Sequence, residues 1–155
     1  MRAKSVRRFR EALAAHGLPD TIVALDQGAR TAQEAADALG CEVGRIVKSL
    51  VFADAGGGPL LVLAAGDVRV DEERLAAVHG APVTMADATS VRAATGYAIG
   101  GVPPFGHARP LPTLIDRTLQ RWDSVWAASG TPHHVFSVPV AELLRITGGE
   151  LADVG

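Results

Sequence analysis

The sequence predicts an α/β domain of the α+β type: a mixed, largely antiparallel sheet or barrel-like core flanked by short helices. Two observations lead there. Short β-branched apolar runs are interleaved with short amphipathic helical patterns in no strict βαβ order, and no internal repeat is present. With 155 residues, 48% of them hydrophobic, the chain has enough apolar material for one core, and no composition shift marks a boundary. One domain over residues 1–155 is therefore expected.

In chain order, Ser5 can cap a helix whose apolar stripe is Val6, Phe9 and Leu13, with Ala12 beside it, and Gly17 followed by Pro19 ends it. Residues 22–25 are a short strand candidate. Thr31 with Glu34 three residues on is a capping-box pattern, and the alanine-rich run after it closes at Gly40. The β-branched run 45–52, the break Gly56-Gly57-Gly58 and the apolar run 60–64 make a hairpin. Asp71 can cap a helix that stops at Gly80, residues 83–85 form another strand, and Asp87 or Ser90 can cap a short helix ending at Gly96. Farther on, residues 113–116, 124–128 and 135–138 read as strands, with Ser129-Gly130-Thr131-Pro132 turning the last two. Pro139 suits the first turn of a final helix carrying Leu143, Leu144 and Ile146, which ends at Gly148-Gly149.

Composition narrows the function classes. No run of about 18 apolar residues occurs, and the cluster Arg2, Lys4, Arg7, Arg8 and Arg10 is not followed by a signal-type apolar region, so a soluble, cytoplasmic protein without a membrane partner is expected. Cys41 is the single cysteine, and His16, His79, His107, His133 and His134 show no ligand spacing, so no metal is expected. A net charge of −2 gives no overall basic signature; the basic N-terminal cluster reads as a solvated helix face that could touch phosphate.

The stretch Thr95 to His107, TGYAIGGVPPFGH, holds four glycines and two prolines, so it is a loop. Tyr97, Ile99, Val102 and Phe105 give it anchors, and such a loop can turn backbone N–H groups toward a ligand and form one wall of a site. It is no dinucleotide fingerprint, it lacks the Walker lysine, and no Gly-x-Ser-x-Gly elbow exists elsewhere. Lys48 shares a strand face with Ile46 and Leu50, otherwise apolar. That place suits an edge lysine guarding against aggregation, one that snorkels to solvent, or one facing a ligand, and the residues alone leave these open. His107 can bind substrate, act as a base or be a surface residue, and Asp116 can hold the loop by accepting N–H bonds. Cys41 reads as a small buried residue, and Trp122 and Trp126, four apart, as packing residues.

Thr31-Ala32-Gln33-Glu34-Ala35-Ala36 with Leu39-Gly40, Ile46-Val47-Lys48-Ser49-Leu50-Val51-Phe52, Thr95-Gly96 with Gly100-Gly101-Val102-Pro103-Pro104-Phe105-Gly106-His107, and Leu114-Ile115-Asp116 follow one another in a pattern that resembles the YbaK-like family. That family comprises the editing domain of bacterial prolyl-tRNA synthetases and its free-standing relatives. The resemblance implies a trans-editing aminoacyl-tRNA deacylase without cofactor or metal, acting on aminoacyl-tRNA, typically tRNA for proline, with prolyl-tRNA synthetase as a second partner. It implies Lys48, Gly100 and Gly101 as catalytic residues. Ser49, Thr95, Gly96, Tyr97, Val102, Pro103, Pro104, Phe105, Gly106, His107 and Asp116 are implied on the substrate-binding side. Ser49 departs from the asparagine associated with alanine-specific members, which leaves cysteine, serine, alanine or another small amino acid open. A non-catalytic module of the same fold, holding an aminoacyl-adenosine or tethering a synthetase, is the alternative.

Overall fold

The computed structural model describes residues 2–155, with side chains from Lys4 onward; the Arg2 side chain of the basic cluster lies outside the described residues. Caps set most helix ends. α1 (Arg2–Ala15) is followed by β1 (Val23–Ala24) and by α2 (Ala32–Leu39), which opens on the Thr31–Glu34 capping box and closes on Gly40 at φ 68°. Ser5 does not cap α1: the helix is already running at Arg2, and Ser5 lies a turn inside it. A 3-10 turn at Val43–Arg45 leads into β2 (Val47–Asp54), so Arg45 and Ile46 precede the strand. β3 (Pro59–Ala65) completes the hairpin.

α3 (Glu72–His79) starts at Asp71, whose side chain accepts from the Glu73 and Arg74 N–H groups; β4 (Val83–Met85) and α4 (Ala88–Thr95) follow, the latter capped by Asp87 rather than Ser90. The rest is β5 (Thr113–Asp116), β6 (Ser124–Ala128), β7 (His134–Pro139), α5 (Val140–Thr147) and β8 (Glu150–Ala152). Pro139 stands at the N-cap of α5, one position before the first turn.

The strands form two sheets, not one, and neither is closed into a barrel. The larger has the order β4-β2-β3-β5-β8, antiparallel through β3 and parallel from β3 to β8; the smaller, β1-β7-β6, is antiparallel. A single parallel bridge between Ile46 and Trp126 links them. Over both sheets the pairing is thus mixed and mostly antiparallel, as the β2–β3 and β6–β7 hairpins require.

Alternation on β2 and β3 feeds two apolar clusters. Val47 and Val51 with Leu61, Leu63 and Ala65 face α1 through Phe9 and Leu13, β7 through Phe136 and α5 through Leu143. Phe52 with Leu60, Val62 and Ala64 faces Leu75 of α3 and Val154 beyond β8. β3 is covered on both faces, which explains its uninterrupted apolar sequence. Each fully buried leucine or phenylalanine contributes on the order of 1.5–3 kcal/mol relative to exposure.

Candidate functional site

β4 pairs with β2 only at Phe52, Ala53 and Asp54. Beyond them the β2 edge opens into a cavity of about 750 Å³, at the seam where Trp126, Ala127 and Val135 of the smaller sheet come opposite. The register says which backbone groups face it. Leu61 N donates to Pro112 O and Ala65 N to Asp116 Oδ2, so these residues turn toward β5, and Lys48, Leu50 and Phe52 pair with the alternate residues of β3. Val47, Ser49 and Val51 are left to the outer edge, where Val51 O accepts from Ala86 N at 3.0 Å. The Ser49 N–H and C=O therefore point into the cavity.

Lys48 and Ser49 both line this space. Lys48 is half-buried, and its Nζ donates to Val68 O at 2.6 Å. Burial holds its pKa below the ordinary lysine value, while the carboxylates of Asp116 and Asp67 act in the opposite direction. Asp67, also in the wall, is engaged by both Arg121 nitrogens at 3.0 and 2.9 Å, so its charge is already matched. The Ser49 hydroxyl is buried and has no hydrogen-bond partner among the described residues. Gly66 lets the floor come close: a Cβ there would fall 2.4 Å from Val43 O and 2.8 Å from Ala32 Cβ.

Gly100 and Val102 bring the glycine-rich loop to the cavity. Gly100 has φ +90°, a conformation that a side-chain-bearing residue rarely adopts. Gly101 stands behind it: the residue is buried, its N–H goes to Ala98 O at 3.0 Å and its carbonyl accepts from Gly130 N at 3.0 Å. A Cβ on Gly101 would lie 2.7 Å from Gly130 O, so the two glycine segments touch backbone to backbone.

Residues 26–146, which contain this whole site, match the family described as the aminoacyl-tRNA editing domain. The chain belongs to that family. A crystal structure provisionally described as a trans-editing enzyme for prolyl tRNA synthetase superposes with a TM-score of 0.91 at 45% identity, covering 97% of this chain and 96% of that one. Protein YwhH of Bacillus subtilis is 31% identical over 79% of this chain and 78% of its own length. EbsC of Enterococcus faecalis, provisionally named a Cys-tRNA(Pro)/Cys-tRNA(Cys) deacylase, is 29% identical over 80% of this chain and 76% of its own.

Within this editing domain, most of the other sequence-derived site residues build the wall from behind. Thr95 and Tyr97 are buried; Thr95 Oγ1 donates to Val91 O at 2.8 Å and accepts from Tyr97 N at 3.0 Å, while Tyr97 Oη donates to Gly106 O at 3.3 Å. Gly96 is the C-cap of α4, and Pro103 and Pro104 are buried. Phe105 packs on Phe9 and Phe136, with ring centroids at 5.3 and 5.8 Å. His107 Nε2 donates to Pro103 O at 2.7 Å, and burial depresses its pKa, a shift that this bond opposes. Pro104, Phe105, Gly106 and His107 line a second hollow of about 260 Å³, which His16 also borders. Asp116 is a buried acceptor for Ala65 N, Thr118 N and Thr118 Oγ1 at 2.9, 2.9 and 2.8 Å, away from the cavity lining.

Sequence reasoning passed over several cavity residues. Trp126 lines the cavity, whereas Trp122 serves packing, its Nε1 donating to Gly44 O at 3.0 Å. Thr131 and Pro132 form the wall facing Gly100, and their glycine-proline turn composition resembles that of the loop they meet. Exposed Met85 belongs to the lining as well, and Ile99, expected to anchor the loop, is instead exposed in that lining. Cys41 is outside the lining, and burial pushes its thiol pKa up, the reverse of an activated nucleophile. Among the described residues, no helix is long and apolar enough to cross a membrane, and no group of three or more His, Cys, Asp or Glu is placed to hold a metal.

Proposed function

We propose that the chain is a trans-acting aminoacyl-tRNA deacylase that hydrolyses the ester between a small, wrongly attached amino acid and the terminal adenosine of tRNA for proline. The observation that carries this reading is Lys48: a half-buried ammonium, tethered to a backbone carbonyl instead of a carboxylate, in the wall of a mainly apolar cavity. A cation so held remains available to a substrate phosphate or carbonyl oxygen. The described lining includes no histidine or cysteine, and Asp67 is bonded to Arg121. That chemistry suits a substrate already activated, and an aminoacyl ester is one.

Lys48 fixes the ester or the neighbouring phosphate. The Gly100 N–H is the loop donor for the developing oxyanion, a role worth about 2.7–4 kcal/mol per donor in well-placed cases. The Ser49 hydroxyl and the Ser49 backbone groups at the open β2 edge bind the polar atoms of the aminoacyl group. Water attacks the ester carbonyl, the ribose oxygen leaves and takes up a proton, and the free amino acid is released; the apolar walls exclude a proline side chain by overpacking, because size exclusion is cheap where one methylene of binding gives only about 1–3 kcal/mol. Residues 1–155 act as one unit, with prolyl-tRNA synthetase as a transient partner.

The test is deacylation of tRNA for proline charged separately with cysteine, alanine, serine and proline, by wild type and by Lys48→Ala. Cleavage of one or more non-cognate esters with proline spared, and loss of that activity in the variant, is expected. Binding of the esters without release of amino acid by the wild type would overturn catalysis and leave the non-catalytic module.

A further inference from the structure

α1 lies outside the family-matched residues, yet it runs along the back of the wall that lines the cavity. Its Ser5 backbone abuts Gly130, where a Cβ would come within 2.9 Å of Ser5 C and O. One turn on, Arg8 Nη2 donates to Gly96 O at 2.5 Å, and the guanidinium carbon stands 4.4 Å from the Tyr97 ring centroid. Ala12 then meets Gly106, at 2.9 Å from a Cβ placed there. The helix is therefore fixed relative to the cavity, and so is the charge it carries.

That charge is not matched locally. Lys4, Arg7 and Arg8 of α1, Arg92 in the last turn of α4 and Arg109 just past the loop are exposed. Arg8, Arg92 and Arg109 gather around Gly96, which accepts from Arg8, donates to Arg92 O and lies against Ala108, the neighbour of Arg109; Lys4 and Arg7 continue the charge along α1, Lys4 one turn before Arg8. Among the described residues none of them has a carboxylate at ion-pair distance, whereas Arg10, Arg45, Arg74, Arg117, Arg121 and Arg145 do. Glu11 is the acidic residue on that stretch of α1, and α4 has none. In a chain of net charge −2, this is a concentrated positive strip.

The strip adjoins the segments that wall the cavity. Arg92 follows Val91, a lining residue, and Tyr97 under Arg8 is two residues from exposed, lining Ile99. We propose that the strip formed by Lys4, Arg7, Arg8, Arg92 and Arg109 is the surface on which the polynucleotide part of the substrate lies, its phosphates leading away from a terminal nucleoside held in the cavity. This rests on the deacylase reading. Phosphates fit better than an acidic protein because the unpaired cations come from α1, α4 and the segment just past the loop, beside elements that wall a cavity with room for a nucleoside, and spaced point charges suit a polyanion read without sequence.

The experiment is the salt dependence of binding of uncharged tRNA for proline to the full chain, comparing wild type with the triple variant Lys4→Gln/Arg92→Gln/Arg109→Gln. Arg8 is kept because it holds the loop. The control replaces Arg74 and Arg117, which are carboxylate-paired, with glutamine. The triple variant should bind about 10–100-fold more weakly at low salt, with a slope of log K against log salt shallower by about 2–3, near 0.7–0.9 per lost phosphate contact. The control should bind like wild type. Equal affinity and slope in the triple variant and wild type would overturn the proposal, as would an equal loss in the control. Wild-type hydrolysis of the amino acid ester of adenosine alone separately tests the reading beneath it: failure there sinks the deacylase, while the salt slope still reports on the surface.

Discussion

Lys48 Nζ is 2.6 Å from the carbonyl oxygen of Val68, a residue in the connection between β3 and α3. The amine is aimed by main chain, and the carboxylates of Asp116 and Asp67 act on it only as more distant charges. Lysine is poorly suited to a half-buried place without an opposite charge, so the arrangement costs stability that a ligand anion would offset.

Replacing Lys48 with methionine should therefore separate activity from folding. Ester hydrolysis is expected to fall about 100-fold or more, the scale of a lost charge-stabilising contact. Thermal stability should stay within about 1 kcal/mol, because relief of the buried ammonium opposes the loss of the Val68 bond. Single-turnover rates and thermal melts check this, and a variant that melts early in proportion to its lost rate would make Lys48 structural.

Gly100 and Gly101 should respond differently to alanine. At Gly101 the new methyl would meet Gly130 O and Thr131 Cα at 2.7 Å, which neither backbone can vacate cheaply, and a loss of about 2–3 kcal/mol is expected. At Gly100 the nearest neighbour is Pro132 Cγ at 3.3 Å and the cost is mainly the positive φ, about 1–2 kcal/mol. The rate should suffer more from Gly100→Ala than its stability loss explains; denaturant melts beside kinetics decide.

Asp116→Asn keeps the shape but offers an N–H₂ group to backbone donors. With the oxygen kept toward Thr118 N and Thr118 Oγ1, the new N–H₂ would face the Ala65 N–H and leave that buried donor unpaired, so about 2 kcal/mol should be lost. Removing this charge also removes the main electrostatic support of the Lys48 ammonium, whose pKa should fall further. Melting temperature reads the first effect, and the alkaline limb of the rate profile, moved to lower pH, reads the second.

His107 gives a pH signature. Its folded pKa lies below the unfolded value of about 6.5 because burial disfavours the charged ring. Above that value the ring is neutral in both states and contributes nothing to pH dependence. As pH falls below it, the unfolded chain takes up a proton that the folded chain resists, so stability declines toward the folded pKa. His107→Gln should lessen the drop in melting temperature between pH 7.5 and 5.5 by about 2 °C; identical drops would remove His107 from the account.

Local chemistry was legible in the residues. The Thr31 box, the Asp71 and Asp87 caps, the glycine stops and the bounds of β5 all stand where short-range hydrogen bonding puts them. Lys48 drew notice because a charge in an apolar run is costly wherever the chain goes. What the residues could not convey depends on pairing between distant segments: the division into two sheets, the parallel docking of β8, and Trp126 turned toward the cavity. Ser5 misled because its capping chemistry is as good as any, while the helix already runs from Arg2. The loop reads as a ligand wall in sequence, yet Tyr97 and Phe105 show that half its residues spend themselves on the core.

β8 and Val154 have a bearing on how the molecule is born. The parallel partner of β5 and an apolar plug for Phe52, Leu60 and Leu75 reside in residues 150–154. During synthesis from the N-terminus the hairpin and its helices emerge first, and the flank they will press against Val154 stays wet until residues 150–154 have followed. A chain interrupted before residue 150 would carry every residue of the cavity wall and still leave a sticky sheet edge for chaperones and proteases to find.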